Sequence, residues 1–393
     1  MLNRRSLRIK VMQALYAVQK CEDANFELAK DYIDEIFTPD LNSMEVQDKA
    51  LLKQNAKTAK KIFQNNYRAQ QIKEEQDTNP EVRSAVSNAI DYFRNNVKKD
   101  VSFIKKDMLE AVNKLLENYY LSLKLLVEFS ERTKEDIEKR HKRLAENGNQ
   151  IFESELNLYK NKAIKIINEN DALQNEFIRF GTSWKDDELD VQEWYRDSLK
   201  KADFYKEYTQ KNNPSFEDDV VVLDQICRQI ILKNEAITNF MAERDLYWEE
   251  NKSALKSMLK KTIKSIDEAT QHIELIELSA NWEDDSEFFK DLFSNTVTND
   301  DEYEKIVSDF AKNWATERIA IVDMIILKMA VSEMLNFPSI PVKVTINEYI
   351  ELSKNYSTQK SKIFVNGMLD KISVKLEKDG KIKKSGRGLI DNK

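Results

Sequence analysis

Residues 338–370 read PSIPVKVTINEYIELSKNYSTQKSKIFVNGMLD. The stretch holds Pro338 and Pro341, two of the chain's five prolines, and Gly367, one of its six glycines. Its pattern predicts a rigid link, a helix, a short polar turn and a second helix. Thr345 followed by Glu348 has the spacing of a capping box, which would start the first helix at Ile346. Ile346, Tyr349, Ile350 and Leu352/Ser353 then recur at helical spacing. Asn355–Gln359 has no periodicity and is expected to be the turn. Ser361 is positioned to cap the second helix, where Phe364, Met368, Ile372 and Leu376 form an i, i+4 stripe. Gly367 inside that helix costs about 1 kcal/mol relative to alanine, so something is expected to pack close to its backbone.

The rest of the chain is read as helical too. Six glycines and five prolines in 393 residues, with 33% charged residues, suit long amphipathic helices and argue against a sheet-rich fold. A hydrophobic content of 41% is enough for a core. Arg4–Gln19 reads as one helix with Leu7, Val11, Leu15 and Val18 on its apolar stripe. Further helices are expected around Glu27–Phe37, Val46–Gln64 and Asp100–Ala145, with a loop near Thr78–Pro80. The charged run after Phe129 alternates in sign and reads as a solvated helix end.

Residues 152–336 carry an internal repeat. Phe216-Glu217-Asp218-Asp219 aligns with Trp282-Glu283-Asp284-Asp285 at an offset of 66, and the gapless register pairs Asn234 with Asp300 and Trp248 with Trp314. An offset of 64 extends the pattern back to Phe152-Glu153, Asn170 and Trp184. Three units of helix, short helix and longer helix opened by tryptophan are expected, each burying its apolar face on its neighbours. Chance matches between amphipathic helices are the alternative.

Charge is distributed unevenly. Residues 1–20 contain five basic residues and no acid, and residues 371–393 contain eight basic and three acidic residues. The two ends carry +10 in a chain of net charge −7, which leaves −17 for the rest. A localised basic patch on an acidic body is the footprint expected of RNA binding, although chain ends are often basic for no binding reason. Cys21 and Cys227 match no metal or redox spacing and read as buried thiols in a reducing compartment. No signal-peptide pattern and no apolar run long enough to span a membrane is found, so a cytoplasmic protein without a membrane association is expected.

No catalytic motif is present, and a non-enzyme without cofactor or metal is expected. His141 and His272 lie on charged or mixed faces. The Asp-Asp pairs at 186, 218, 284 and 300 recur near helix starts and are read as caps. Asp323 and Glu333, within an apolar helix, are read as buried salt-bridge or capping residues.

Three segments resemble the NusB family of transcription antitermination factors. They are V-x-I-N-E-x-I-E-L-x-K with S-x-x-F-V-N-G-x-L-D in the opening stretch, the R-I-A-I-V-D-M-I-I-L-K-M-A-V-S-E-M-L helix before it, and the N-R-R-x-L-R-x-x-x-M-Q-A-L-Y start of the chain. Most of residues 25–280 lies outside the resemblance. It implies an all-α, NusB-like helical bundle, here enlarged by tandem helical repeat units. The division expected is an N-terminal helical region at 1–150, inserted repeats at 152–280, a NusB-like C-terminal subdomain at 282–378 and a basic flexible tail at 379–393. The resemblance also implies partners: boxA-like single-stranded RNA of ribosomal transcripts, the small-subunit protein NusE, and an antitermination complex on RNA polymerase.

Single-stranded RNA is held by cations on phosphates and aromatic faces under bases. Arg4, Arg5 and Arg8 are the leading cation candidates. Tyr356 and Phe364 flank the turn where the family places stacking aromatics, although Phe364 also begins an apolar stripe. Lys360 and Lys362 add charge there. Asn366 is suited either to a base edge or to a neighbouring helix end, and Tyr16 either to RNA or to the protein partner. Two rival readings are a helical scaffold in ribosome assembly or another complex, with sequence-blind RNA affinity, and the NusB-like domain of an RNA methyltransferase. The second lacks a methyl-donor site after the signature.

Overall fold

The structure, a computed structural model, describes residues 2–42, 46–69, 79–144, 153–311 and 319–390. Fifteen α-helices, here α1–α15, make up the described chain, with one isolated bridge between Asp267 and His272 and no strand. The fold is all-α, as the pattern predicts. No described helix is long and apolar enough to cross a membrane.

The chain divides into two compact units, residues 1–3 with 109–285 and residues 4–108 with 286–393. The second unit begins with α1, Arg4–Ile36, which continues well past the Gln19 boundary expected. It pairs with α2, Lys49–Asn66, and with residues 80–108 of α3, Pro80–Leu144. Asp48 caps α2 by accepting from the Ala50 and Leu51 amides. Asn79 accepts from Glu81 N ahead of Pro80, whose missing N–H costs nothing at a helix start. Ala29, Ile33, Ala59, Phe63, Val86, Ala89 and Ile90 interlock in the resulting three-helix core.

The same unit holds α12 (Asp300–Phe310), α13 (Ile321–Asn336), α14 (Val342–Tyr356) and α15 (Ser361–Lys378). Helix α13 is buried from Ile325 to Met334 and is the axis on which α1, α12, α14 and α15 pack. Three local expectations fail here. Helix α14 starts at Val342, so Thr345 is an interior residue whose hydroxyl bonds Glu333 instead of capping. Pro341, with its φ fixed near the helical value, makes the earlier start possible. Ser361 is likewise the first residue of α15 rather than its cap, and its hydroxyl donates to Asp323. Gly367 is exposed, and a Cβ there would meet nothing within 4 Å.

Residues 381–390, read from sequence as a flexible tail, are fastened to the link before α14. Ser385 N donates to Pro338 O at 3.0 Å and Lys384 Nζ to Phe337 O at 3.0 Å. Gly388 lies so close that a Cβ would come 2.0 Å from Pro338 O, so this position requires glycine.

The first unit is built on residues 109–144 of α3. Around them are α4 (Lys162–Glu169), α5 (Asp171–Arg179), α6 (Glu188–Trp194), α7 (Asp203–Thr209), α8 (Phe216–Gln225), α9 (Glu235–Arg244) and α10 (Trp248–Ser265). Helices α6 and α8 each continue into a π-helical turn, to Leu199 and Ile231. Tyr119, Leu123, Leu126 and Phe129 of α3 are fully buried, as are Leu223, Ile237, Leu255 and Ile263. Asp245 is held inside by Asn118 and Asn251 at 2.8 and 3.1 Å.

Helix boundaries follow the repeat register closely in two copies. The span 216–231 corresponds to α11, Trp282–Thr298, and α9 corresponds to α12 at the offset of 66. Trp314 and Phe152 lie outside the described residues. The earliest copy departs, because its first helix is broken. Asn157 donates to the carbonyls of Tyr208 and Lys211, and Asn161 caps α4, so two asparagines replace helix hydrogen bonds with their own. Trp184 precedes α6 instead of opening it.

Candidate nucleic-acid interface

The arginines of α1 divide between interior and surface. Arg8 is buried, 3% exposed, and forms a bidentate pair with Glu333, from Nε at 2.7 Å and Nη2 at 2.8 Å. Glu333 also accepts from Thr345 Oγ1 at 2.9 Å and Tyr349 OH at 3.0 Å. Its four acceptor directions are therefore filled, which is the condition for burying a carboxylate. Burial works against the Arg8 cation, but the charge and hydrogen bonds of Glu333, with help from Tyr349 and Glu348, raise its pKa. Burial above all, and then Glu333, drives the Tyr349 phenol well up. The expected buried salt bridge at Glu333 is thus made, and the partner is an arginine first read as a phosphate ligand. Arg8 presents its guanidinium to Glu333 rather than to solvent.

Arg5 faces outward. Its Nε and Nη2 bond Glu348 at 2.9 and 2.8 Å, with the Arg5 side chain half exposed. Arg8 Nη1 reaches the same carboxylate at 3.7 Å. The hydrogen bond from Arg5 leads in holding Glu348 below the usual carboxylate range, and Arg8 adds to it. Arg4 is half-buried, with its guanidinium 4.9 Å from the centre of the Phe288 ring, over which Arg8 also lies at 5.2 Å. Lys10 is buried. Three cations at the start of a helix oppose its dipole. Glu333, Glu348 and Phe288 supply the compensation that the sequence did not reveal.

The turn between α14 and α15 is held from below. Ser361 donates to Asp323 at 2.6 Å and lies 2.9 and 2.8 Å from the Ser357 and Thr358 hydroxyls. Above this hydroxyl cluster Lys360 and Lys362 are exposed, and Tyr356 and Phe364 are half-buried. Asn366 is exposed, with its amide 3.4 Å from Asp370.

One carboxylate connects the two segments. Glu351 is held low first by its hydrogen bond from Lys354, and both Arg5 and Lys362 add attraction to it. Arg5 reaches α14 through Glu348, and α15 packs along the same helix. Tyr16, 42% exposed, is eleven residues from Arg5, three helical turns along nearly the same face of α1 and about 16 Å away. Arg5, Tyr16, Lys360 and Lys362 are exposed, Arg4, Tyr356 and Phe364 are partly so, and Arg8 is buried.

A cleft of about 560 Å³ opens elsewhere in this unit, between α1, α3, α12 and α13. Of its cations, Arg68 pairs with Glu22 and Lys328 with Asp300 and Glu304, while Arg94 donates to the Ala69 carbonyl. Among the described residues no cluster of His, Cys, Asp and Glu is arranged to hold a metal. Cys227 is buried and its thiol pKa is raised by burial, whereas Cys21 is only half-buried.

The sequence model of the NusB family matches residues 225–374. The chain carries a NusB-family domain. It is 43% identical over 104 residues to the transcription antitermination protein NusB of Salinibacter ruber, covering 26% of this chain and 65% of that protein. It is 39% identical over 105 residues to the NusB of Chloroherpeton thalassium, covering 27% and 50%, and 42% identical over 87 residues to that of Syntrophotalea carbinolica, covering 22% and 56%. The chain thus spans between half and just under two thirds of the length of these curated relatives. No solved structure matches. The family match reaches back to Gln225, so it takes in α9 and α10 as well as α11–α14 and most of α15.

Proposed function

We propose that this protein is a transcription antitermination factor that holds boxA-like single-stranded RNA of ribosomal transcripts, together with the ribosomal protein NusE, in the cytoplasm. It performs no chemistry and feeds an antitermination complex on RNA polymerase. The observation that supports the reading is the bidentate bond of Arg5 to Glu348 of α14, the helix that leads directly into the aromatic, lysine-bearing turn before α15. Arg5, Lys360 and Lys362 supply phosphate contacts, with Arg4 at their edge. Tyr16, Tyr356 and Phe364 offer rings for stacking, and Asn366 offers an amide for a base edge. Arg8 positions the helix that carries Arg5.

A gel shift at fixed salt, with boxA-like and scrambled RNA and with or without the small-subunit protein, tests the proposal. Preference for the boxA-like strand, strengthened by the protein partner, is expected. Equal affinity for both RNAs under both conditions would overturn it in favour of a sequence-blind scaffold. Arg5→Ala/Lys360→Ala/Lys362→Ala is expected to weaken binding and to reduce the slope of log K against log salt by about 0.7 per lost phosphate contact.

A further inference from the structure

Residues 251–266 contain five lysines, Lys252, Lys256, Lys260, Lys261 and Lys264, and no acid. The run makes up α10 of the first unit after its first turn, which carries Glu249 and Glu250. Leu255, Met258, Leu259, Thr262 and Ile263 are buried, so the apolar face of α10 is fully used inside the protein. Lys256, Lys260 and Lys264 point the other way and are exposed, spaced along one slanted row at about 6 Å per step. Exposed Ser253 and Ser257 interleave with them. Among the described residues no carboxylate lies within ion-pair distance of Lys256, Lys260 or Lys264, although Glu274 and Glu277 line the groove beside Lys261 and Lys264.

The other repeat copies treat these positions differently. At the offset of 66, Lys256, Lys260 and Lys264 become Val322, Ile326 and Ala330, the last two fully buried in α13. At the offset of 64 they become Gln192, Arg196 and Lys200. There the two cations are neutralised, Arg196 by Asp197 and Lys200 by Asp136 at 2.8 Å. Helix α10 alone of the three leaves the row both basic and without ion pairs.

We infer that the lysine row of α10 is a second, sequence-blind binding surface for the phosphate backbone of single-stranded RNA. The exposed row offers cations and hydroxyls, which contact phosphates, and no aromatic or apolar anchor of the kind that centres a protein interface. A membrane surface is disfavoured because the apolar face needed for insertion is already packed. The row lies in the first unit and does not depend on the boxA reading.

The test uses the full chain, oligouridine and boxA-like RNA over a salt series. Lys256→Ala/Lys260→Ala/Lys264→Ala is expected to weaken oligouridine binding and to lower the salt slope by about 2, at about 0.7 per cation. Lys256→Arg/Lys260→Arg/Lys264→Arg should retain both, and circular dichroism should be unchanged in either variant. An unchanged slope would overturn the inference. So would equal, lysine-dependent binding of phosphatidylserine vesicles. Loss of boxA preference in the parent chain, with the lysine effect intact, would sink the proposed function and leave this surface standing.

Discussion

The arginine-rich start of α1 and the lysine-rich face of α10 are similar in sequence and opposite in structure. Residues 1–20 and 251–266 are both basic and free of acids. In α1 the cations are bound internally: Arg8 by Glu333, Arg5 by Glu348, and Arg4 against Phe288. In α10 the lysines of the exposed row have no ion pair among the described residues. A basic segment can therefore be part of the fold or a surface for a partner. The difference lies in carboxylates supplied from distant positions, 325 residues away in sequence for Arg8.

The sharpest way to break the comparison is to remove Glu333. Glu333→Ala leaves buried Arg8 without its bidentate partner and with only the longer contact to Glu348, and a loss of about 3–5 kcal/mol is expected in urea unfolding. The double variant Arg8→Met/Glu333→Leu should recover much of that loss, because the buried pair contributes little beyond an apolar pair of similar volume. The matching change on α10, the triple alanine variant, should leave the unfolding midpoint nearly unmoved. If Glu333→Ala were as silent, Arg8 would be a surface cation after all.

A smaller effect is expected at Glu348. Its pair with half-exposed Arg5 is of the kind that contributes about 0.2–1 kcal/mol. Glu348→Gln frees Arg5 for a phosphate, so RNA affinity should rise, by at most about fivefold. Fluorescence anisotropy with boxA-like RNA would check this, and a fall in affinity would mean that the pair holds Arg5 in place for binding. The pH dependence has a definite sign. The Glu348 carboxyl is depressed from its ordinary value of 4.5 in the folded state, chiefly by Arg5. Its stabilisation is complete above that value and disappears as pH falls through the lower, folded-state pKa. Parent and Glu348→Gln stabilities should differ most above pH 4.5 and converge in acid.

Much of the fold was legible because helical periodicity is local. Leu7, Val11 and Leu15, read as one apolar stripe, are all buried, and that reading needed no knowledge of their partners. What escaped reading depended on contacts between distant residues. Thr345 and Glu348 have capping-box spacing, but Thr345 meets Glu333 and Glu348 meets Arg5, neither of which the spacing encodes. The tail was basic and looked loose until Gly388 closed on Pro338. In the candidate site, the exposed lysines of the turn were visible as residue types, whereas the burial of Arg8 was not. The lysine row of α10 left a plain signal, sixteen residues without an acid inside the acidic body of the chain.

The smallest change concerns Gly367, the glycine whose sequence reading demanded a close neighbour. Nothing lies within 4 Å of its missing Cβ, and its backbone is helical. Gly367→Ala should therefore stabilise the protein by about 0.4–1 kcal/mol, mostly by restricting the unfolded chain. The residue lies one turn beyond Ile363, which is 77% exposed, and next to Asn366 on the same helix as Lys362. If the open space is kept for a nucleotide, the stabilised variant should bind boxA-like RNA more weakly while its oligouridine binding through α10 is unchanged. A variant that is more stable and binds both RNAs as before would leave Gly367 without a role in the interface. The position would then be an ordinary weak point of α15, and the α14–α15 surface would rest on Arg5, Lys360, Lys362 and the aromatic side chains alone.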